Sequence, residues 1–172
     1  MRRFPFSGLL AGLLIAASAE AAEPPTLNLY ATLATTPAAA FVRPGGGKLQ
    51  LEALKGRPAL VNFWATWCPP CRRELPMLAK VHGRYGKKIA FLGLAVEDNA
   101  EFVGEYAGAY GLRYPVAAGR EPAIALMQAL GNEQAGMPFT VVLDDAGRVV
   151  YSKRGLVTEK DLAQALKPLL RP

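Results

Sequence analysis

Apolar and polar positions change their period several times along this chain, and each change marks a predicted element. Residues 59–66 are a nearly unbroken apolar run, the length and composition of a strand buried on both faces. From Pro69 the period turns helical, with Leu75, Leu78, Ala79 and His82 on adjoining rows, and Pro76 inside that pattern predicts a kink. Ile89 to Val96 is a second continuous apolar run, after which Asn99 caps a helical pattern carrying Phe102, Val103, Tyr106 and Tyr110. Tyr114 to Ala117 reads as a short strand, and Pro122 to Leu130 as a short helix stopped by Gly131. Phe139 to Leu143 and Val149 to Lys153 flank Asp144-Asp145-Ala146-Gly147, a hairpin signal. Thr158 caps a last helix through Leu162, Ala165, Leu166 and Leu169. Strand and helix alternate early and the chain closes with a hairpin and a helix. That order predicts an α/β fold, a central mixed sheet with helices on both faces.

The first forty residues follow other rules. Met1-Arg2-Arg3, the apolar stretch from Leu9 to Ala19, and small residues at Ala17-Ser18-Ala19 or Ala19-Glu20-Ala21 together describe a secretory signal, residues 1–22. The apolar stretch is shorter than the roughly 20 residues a spanning helix needs, so cleavage and a periplasmic location are expected over a membrane-anchored form. Residues 23–40, rich in Ala, Thr and Pro, predict a flexible leader, and the folded domain is expected to occupy 41–172. Val42 and the Leu49/Leu51 alternation around Pro44-Gly45-Gly46-Gly47 suggest a loose N-terminal hairpin.

Charge changes the picture little. The formal net charge is +6 over 172 residues, and cutting after Ala19 removes Arg2 and Arg3 to leave 18 basic against 14 acidic side chains, scattered along the chain. That balance is too mild for nucleic acid and reads as a solvated surface. One compact, monomeric domain is expected.

The chemistry lies in the only two cysteines, Cys68 and Cys71, spaced CxxC between a strand and a helix. Such a pair reads as a reversible dithiol rather than a staple. At the helix start, unpaired N–H groups and the positive dipole end favour a thiolate, which makes Cys68 the attacking sulfur. Cys71, one turn on, is placed to resolve a mixed disulfide. Pro69 and Pro70 suit the first helical positions, and each removes an N–H that a sulfur could have accepted. Thiolate stabilisation is therefore moderate, which leans toward a reductant. Other classes fit less well. A metal site is not expected, because one cysteine pair and the single His82 cannot complete four-coordination. His82 reads as a surface or boundary residue. A peroxidatic cysteine needs a Pro-x-x-x-Thr-x-x-Cys context that the run before Cys68 lacks. A noncatalytic binding protein with a static disulfide is the structural alternative.

The run Val61-Asn62-Phe63-Trp64-Ala65-Thr66-Trp67-Cys68-Pro69-Pro70-Cys71-Arg72 with Glu74-Leu75-Pro76, and the later stretch from Gly136 to Val150, closely resemble the TlpA/ResA/DsbE branch of periplasmic thioredoxin-like thiol-disulfide oxidoreductases. The likeness covers roughly Leu51 to Leu169 and implies a thioredoxin-like fold with a TlpA-type insertion over 99–130. It further implies that Pro138 is a cis-proline leaving the Met137 backbone free to pair with a bound peptide. Trp67 is implied to pack beside the thiols, so that Trp67, Pro69, Pro70, Met137 and Pro138 form the substrate-binding set. Asn62 stands where thioredoxins carry a buried aspartate and cannot take a proton. The resemblance supplies a carboxylate from the end of the next strand instead. Asp98 aligns best with it, Glu97 is its neighbour, and alternation turns only one of them toward Cys71. The implied activity is reduction of protein disulfides, with apocytochrome c as substrate and a membrane thiol carrier of the DsbD/CcdA kind as electron donor. No cofactor is implied beyond the Cys68–Cys71 disulfide. The alternative is a general periplasmic disulfide reductase or isomerase serving oxidase assembly or stress defence.

Overall fold

The structure, a computed structural model, describes residues 27–30, 32 and 41–170. The elements that build the sheet and its layers run in the order β1 (Ala59–Trp64), α1 (Pro69–Tyr85), β2 (Ala90–Ala95), α2 (Ala100–Ala109), β3 (Val116–Ala118), α3 (Arg120–Ala129), β4 (Phe139–Leu143), β5 (Val149–Arg154) and α4 (Glu159–Leu166). The sheet order is β3-β2-β1-β4-β5. β1 lies parallel to β2, which lies parallel to β3, while β4 runs antiparallel to both β1 and β5. This is the thioredoxin-like α/β fold.

The sequence explains which strand sits where. All six residues of β1 are buried, as an unbroken apolar run demands when both faces are covered, and it takes the centre. β5 instead alternates half-buried and exposed positions, the pattern of an edge strand with one wet face. Phe63 and Phe139 are register partners whose rings stack with centroids 5.7 Å apart, pinning β4 against β1. Gly93 interrupts the β2 run because a Cβ there would meet Trp64 Nε1 and Val116 Cγ1 at 3.1 Å.

The parallel pairing of β1 and β2 brings their C-terminal ends to one edge of the sheet. The antiparallel register brings the start of β4 to that same edge. The loops 65–68, 96–99 and 136–138 therefore meet there, and α1 starts from it.

α1 continues through Pro76 as one 17-residue helix, although the proline forfeits one backbone hydrogen bond; buried Leu75, Leu78 and Val81 hold both sides of it on the sheet. Two expectations need correcting, the N-terminal hairpin and the end of the last helix. The N-terminal hairpin reduces to a single bridge, Val42 to Lys48. Val42 also bridges Ala118 at the β3 edge, and Leu51–Leu54 is a 3₁₀ turn instead of a strand. His82 is half-buried, in agreement with the boundary position expected of it, its ring edge-on to Phe91 and Tyr114 at 5.2 and 5.3 Å. The last helix ends at Leu166 and tightens into a 3₁₀ turn at Lys167–Leu169.

The expected signal peptide lies outside the described residues, as does most of the expected leader. The described part of that leader packs: Leu29 is fully buried, Asn28 bridges Arg148, and the Val149 N–H donates to the Leu27 carbonyl. No helix among the described residues is long and apolar enough to cross a membrane.

Thr158 closes a capping box at the start of α4: its hydroxyl accepts the Asp161 N–H, and the Asp161 carboxylate accepts the Thr158 N–H at 2.8 Å. Replacing Thr158 with Ala is expected to cost about 1 kcal/mol, read as a lower urea midpoint at unchanged slope.

Candidate active site

Cys68 is the N-cap of α1, with extended backbone (φ −94°, ψ 100°), and its Sγ accepts the Cys71 backbone N–H at 3.3 Å. A sulfur in this position receives the N–H that a Ser or Asp oxygen accepts at other helix starts, and with it the favourable end of the helix dipole. Pro69 and Pro70 fill the next two positions and offer no N–H of their own. Cys68 and Cys71 are joined as a disulfide. Cys68 retains 5% exposure while Cys71 has none, so a partner sulfur approaching from solvent meets Cys68 first.

Around the pair, the structure separates the expected residues. Trp67 is largely exposed, at 57%, and is a rim residue next to Cys68, whereas Trp64 is fully buried in the core. The Met137–Pro138 peptide bond is cis. Pro138 is buried and Met137 half-buried, at the start of β4 opposite the end of β1. Pro69 is exposed and Pro70 half-buried on the first turn of α1.

The adjacent acids Glu97 and Asp98 point to different places. Glu97 is 9% exposed, and its Oε1 accepts the Thr66 N–H at 3.1 Å and the Thr66 hydroxyl, which ties it to the loop entering the CxxC. Asp98 turns outward into an ion pair with Arg120 at 2.6 Å, its side chain 70% exposed. The alignment that favours Asp98 is thus not matched by the geometry. Both faces of β2 are covered, with Ala95 and Val96 both buried, so the bonds to Thr66 and to Arg120 separate the two acids rather than strand alternation.

A third carboxyl, Glu74, was not among the candidates. It lies three residues beyond Cys71 on the same row of α1 and is only 2% exposed. Asn62 Nδ2 donates to it at 2.8 Å and to Thr140 Oγ1 at 3.0 Å, and the Val157 N–H donates to its second oxygen at 3.2 Å. Burial pushes its pKa up to about 7, against the downward pull of the Val157 and Asn62 bonds and of Lys153. A signal for it existed in the sequence. Glu74 occupies a row shared with Cys71 and Leu78, a buried row where an unpaired carboxylate is rarely tolerated. Asn62, unable to take a proton, instead holds the group that can.

Among the described residues no three His, Cys, Asp or Glu side chains are grouped as metal ligands. A cavity of about 330 Å³ lies between Pro58, Asp144, Arg148 and Leu169, at the far end of β1 from the sulfurs, and takes no part in this site.

Residues 33–166 match the Redoxin family. The chain is 32% identical to the thioredoxin-like protein YneN of Bacillus subtilis (strain 168) over 124 residues, 70% of this chain and 70% of the relative. It is 30% identical to the thiol-disulfide oxidoreductase ResA of Bacillus anthracis over 125 residues, 72% of this chain and 70% of the relative. It also superposes on the crystal structure of a thiol:disulfide interchange protein of the thioredoxin family from Chlorobium tepidum TLS. There the TM-score is 0.69 at 27% identity, covering 87% of this chain and 100% of that one.

Proposed function

Since the chain belongs to the Redoxin family and is a thiol-disulfide oxidoreductase with a CxxC centre, we propose that it works as an extracytoplasmic reductant of protein disulfides serving c-type cytochrome maturation. The observation that carries the direction of electron flow is the setting of Cys68. Its sulfur sits at a helix N-terminus and accepts one backbone N–H, and the two following prolines add none, so the thiolate is stabilised only moderately. A moderately stabilised leaving thiolate makes a poor oxidant and a serviceable reductant.

The exchange balances as follows. The reduced Cys68 thiolate attacks one sulfur of the substrate disulfide; the Cys68–substrate bond forms, the substrate S–S bond breaks, and one substrate thiolate leaves. Cys71, deprotonated, then attacks Cys68 Sγ. The intramolecular disulfide forms and the second substrate thiolate departs, so two electrons have passed from protein to substrate. Glu97, tied to Thr66, and Glu74, one turn past Cys71 with its pKa near 7, are the groups we assign to accept the Cys71 proton. Met137 and Pro138 border the site where the substrate strand lies, and Trp67 forms its rim. Electrons are resupplied by a membrane thiol carrier of the DsbD/CcdA kind.

Equilibration against a dithiol series tests the direction. The expected midpoint lies near the reducing end of the thioredoxin-fold range, about −270 mV, and the reduced protein is expected to reduce the disulfide of a Cys-x-x-Cys-His peptide stoichiometrically. A midpoint above about −180 mV would make it an oxidant or isomerase and overturn the reading. Resistance to reduction well below −300 mV would make the bond structural.

A further inference from the structure

Asn132 is a polar side chain with no exposure, and the exchange chemistry makes no use of it. It sits just past α3, in the loop 130–138 that leads into β4. A buried amide is tolerated only where its donors and acceptor are met. Here one residue meets most of them: Nδ2 donates to the Gly136 carbonyl at 2.8 Å, and Oδ1 accepts the Gly136 N–H at 3.2 Å. Nδ2 also lies 3.8 Å from Met127 Sδ. The side chain thus pairs with Gly136 as one strand residue pairs with another.

The other end of this clamp is fixed to α3. The Asn132 N–H donates to the Met127 carbonyl at 2.9 Å, and Leu126 and Met127 are buried in the core. The Asn132 carbonyl accepts the Ala135 N–H at 2.8 Å, closing a turn in which Ala135 stands at φ +49°. Residues with a Cβ disfavour that backbone, so the clamp holds a turn that local preference would not.

Gly136 is followed by Met137, where the loop reaches the exchange centre. The β1–β4 ladder ends at the Phe63–Phe139 pair. Two residues further along the same register, Met137 comes level with Ala65, whose carbonyl accepts the Cys68 N–H at 3.2 Å. Met137 is half-buried, yet its N–H and carbonyl bond to no other described residue. Backbone groups left open at a sheet edge are a template for an added extended strand.

We propose that Asn132 is the positioning residue of the substrate-docking loop: by clamping Gly136 it aims the free backbone groups of Met137 at an extended segment of the substrate, and so favours polypeptide disulfides over small ones. The inference rests on the reading that the substrate strand lies against Met137. A docking group already held in its bound conformation loses little freedom on binding, whereas a loop released from the clamp must be ordered each time.

The test uses the reduced full-length protein in single turnovers followed by tryptophan fluorescence, with two oxidants that share one leaving thiol. One is a short peptide whose central cysteine is held as its mixed disulfide with 2-mercaptoethanol. The other is bis(2-hydroxyethyl) disulfide, which has no peptide groups to pair with Met137. The wild type is expected to react with the peptide at least about tenfold faster than with the small disulfide. In Asn132→Ala the half-saturating peptide concentration is expected to rise about tenfold, as the loss of one or two backbone bonds to the peptide implies. The limiting rate, and the rate with the small disulfide, are expected to stay within about twofold of wild type. Each preference is taken within one protein, so any loss of folded material cancels.

Asn132→Asp keeps the shape of the side chain. Protonated at pH 5.5, its carboxyl still donates to Gly136 and accepts from it; ionised at pH 8.5, it only accepts. Its preference for the peptide, relative to wild type at the same pH, is expected to hold at pH 5.5 and to fall at pH 8.5. A preference that survives in Asn132→Ala, or a loss shared equally by both oxidants, overturns the assignment while leaving Met137 as the docking backbone. If Asn132→Ala does not fold, the Asp variant decides alone, and an equal preference at both pH values overturns it. A wild type that reacts equally with the two oxidants sinks the docking reading and Asn132 with it. A wild type that reacts with neither sinks the exchange chemistry itself.

Discussion

Replacing Cys71 with Ser is expected to end turnover of protein disulfides and to leave one covalently bound substrate per chain, attached through Cys68. The two sulfurs are unequal in access, with Cys68 slightly exposed and Cys71 sealed under the first turn of α1. The variant retains the sulfur that meets the substrate and the helix N-terminus that favours its thiolate. It lacks the thiol that displaces the product, so the mixed disulfide forms and persists. Non-reducing electrophoresis of an envelope extract shows the adduct, and mass spectrometry of the trapped chain names the substrate. Cys68→Ser is the matching control and is expected to trap nothing, because Cys71 cannot be reached. Adducts that form equally well through Cys71, or none from the Cys71→Ser protein, would contradict the division of labour read from burial.

Glu74→Gln is expected to change how stability depends on pH by about 3 kcal/mol. The carboxyl has its pKa raised by burial from 4.5 to about 7, so the folded state holds the proton more tightly than the unfolded chain does. The stability this contributes is fully present below pH 4.5 and is lost as pH rises through 7. At about 1.4 kcal/mol per pKa unit the loss amounts to about 3 kcal/mol by pH 8.5. Gln is neutral throughout and carries no such penalty. Whatever it loses by rearranging the bonds to Asn62 and Val157 is the same at every pH. Urea unfolding of the oxidised proteins at pH 4.5 and pH 8.5 measures the difference of differences, with the thiols held out of the titration. The wild type should weaken relative to the variant over that interval. Parallel curves would mean that Glu74 ionises as an ordinary surface carboxylate, and its assignment as a proton acceptor would lose its physical basis.

The two carboxyl assignments show what single-residue reading can and cannot reach. Glu97 and Asp98 are adjacent and chemically alike, and which one turns inward depends on partners from other segments. Thr66, in the loop after β1, holds Glu97, and Arg120, at the start of α3, draws Asp98 outward. Glu74 was legible in principle as a charge on a buried helical row. What made it tolerable was invisible locally, because its donors come from β1 and from the loop after β5, 12 and 83 residues away. Pro76 shows the same dependence on distant contacts. The local cost of a proline inside a helix is real, but packing of Leu75, Leu78 and Val81 against the sheet lets α1 run on through it. The same holds for Leu29, whose polar and Pro-rich surroundings predicted a flexible leader while the core had a place for its side chain.

Short-range physics settled the elements whose meaning is carried by a few consecutive residues. The buried central strand, the CxxC at a helix start, the capping box of α4 and the hairpin of β4 and β5 all follow from periodicity, caps and turn residues that act within one or two turns of chain. Only the assembled sheet decided that Glu97 is buried on Thr66 while Asp98 pairs with Arg120, and that Asn62 and Val157 hold a buried carboxyl at Glu74. Those are contacts between segments far apart in the chain. They depend on strand order and register, which no local pattern encodes.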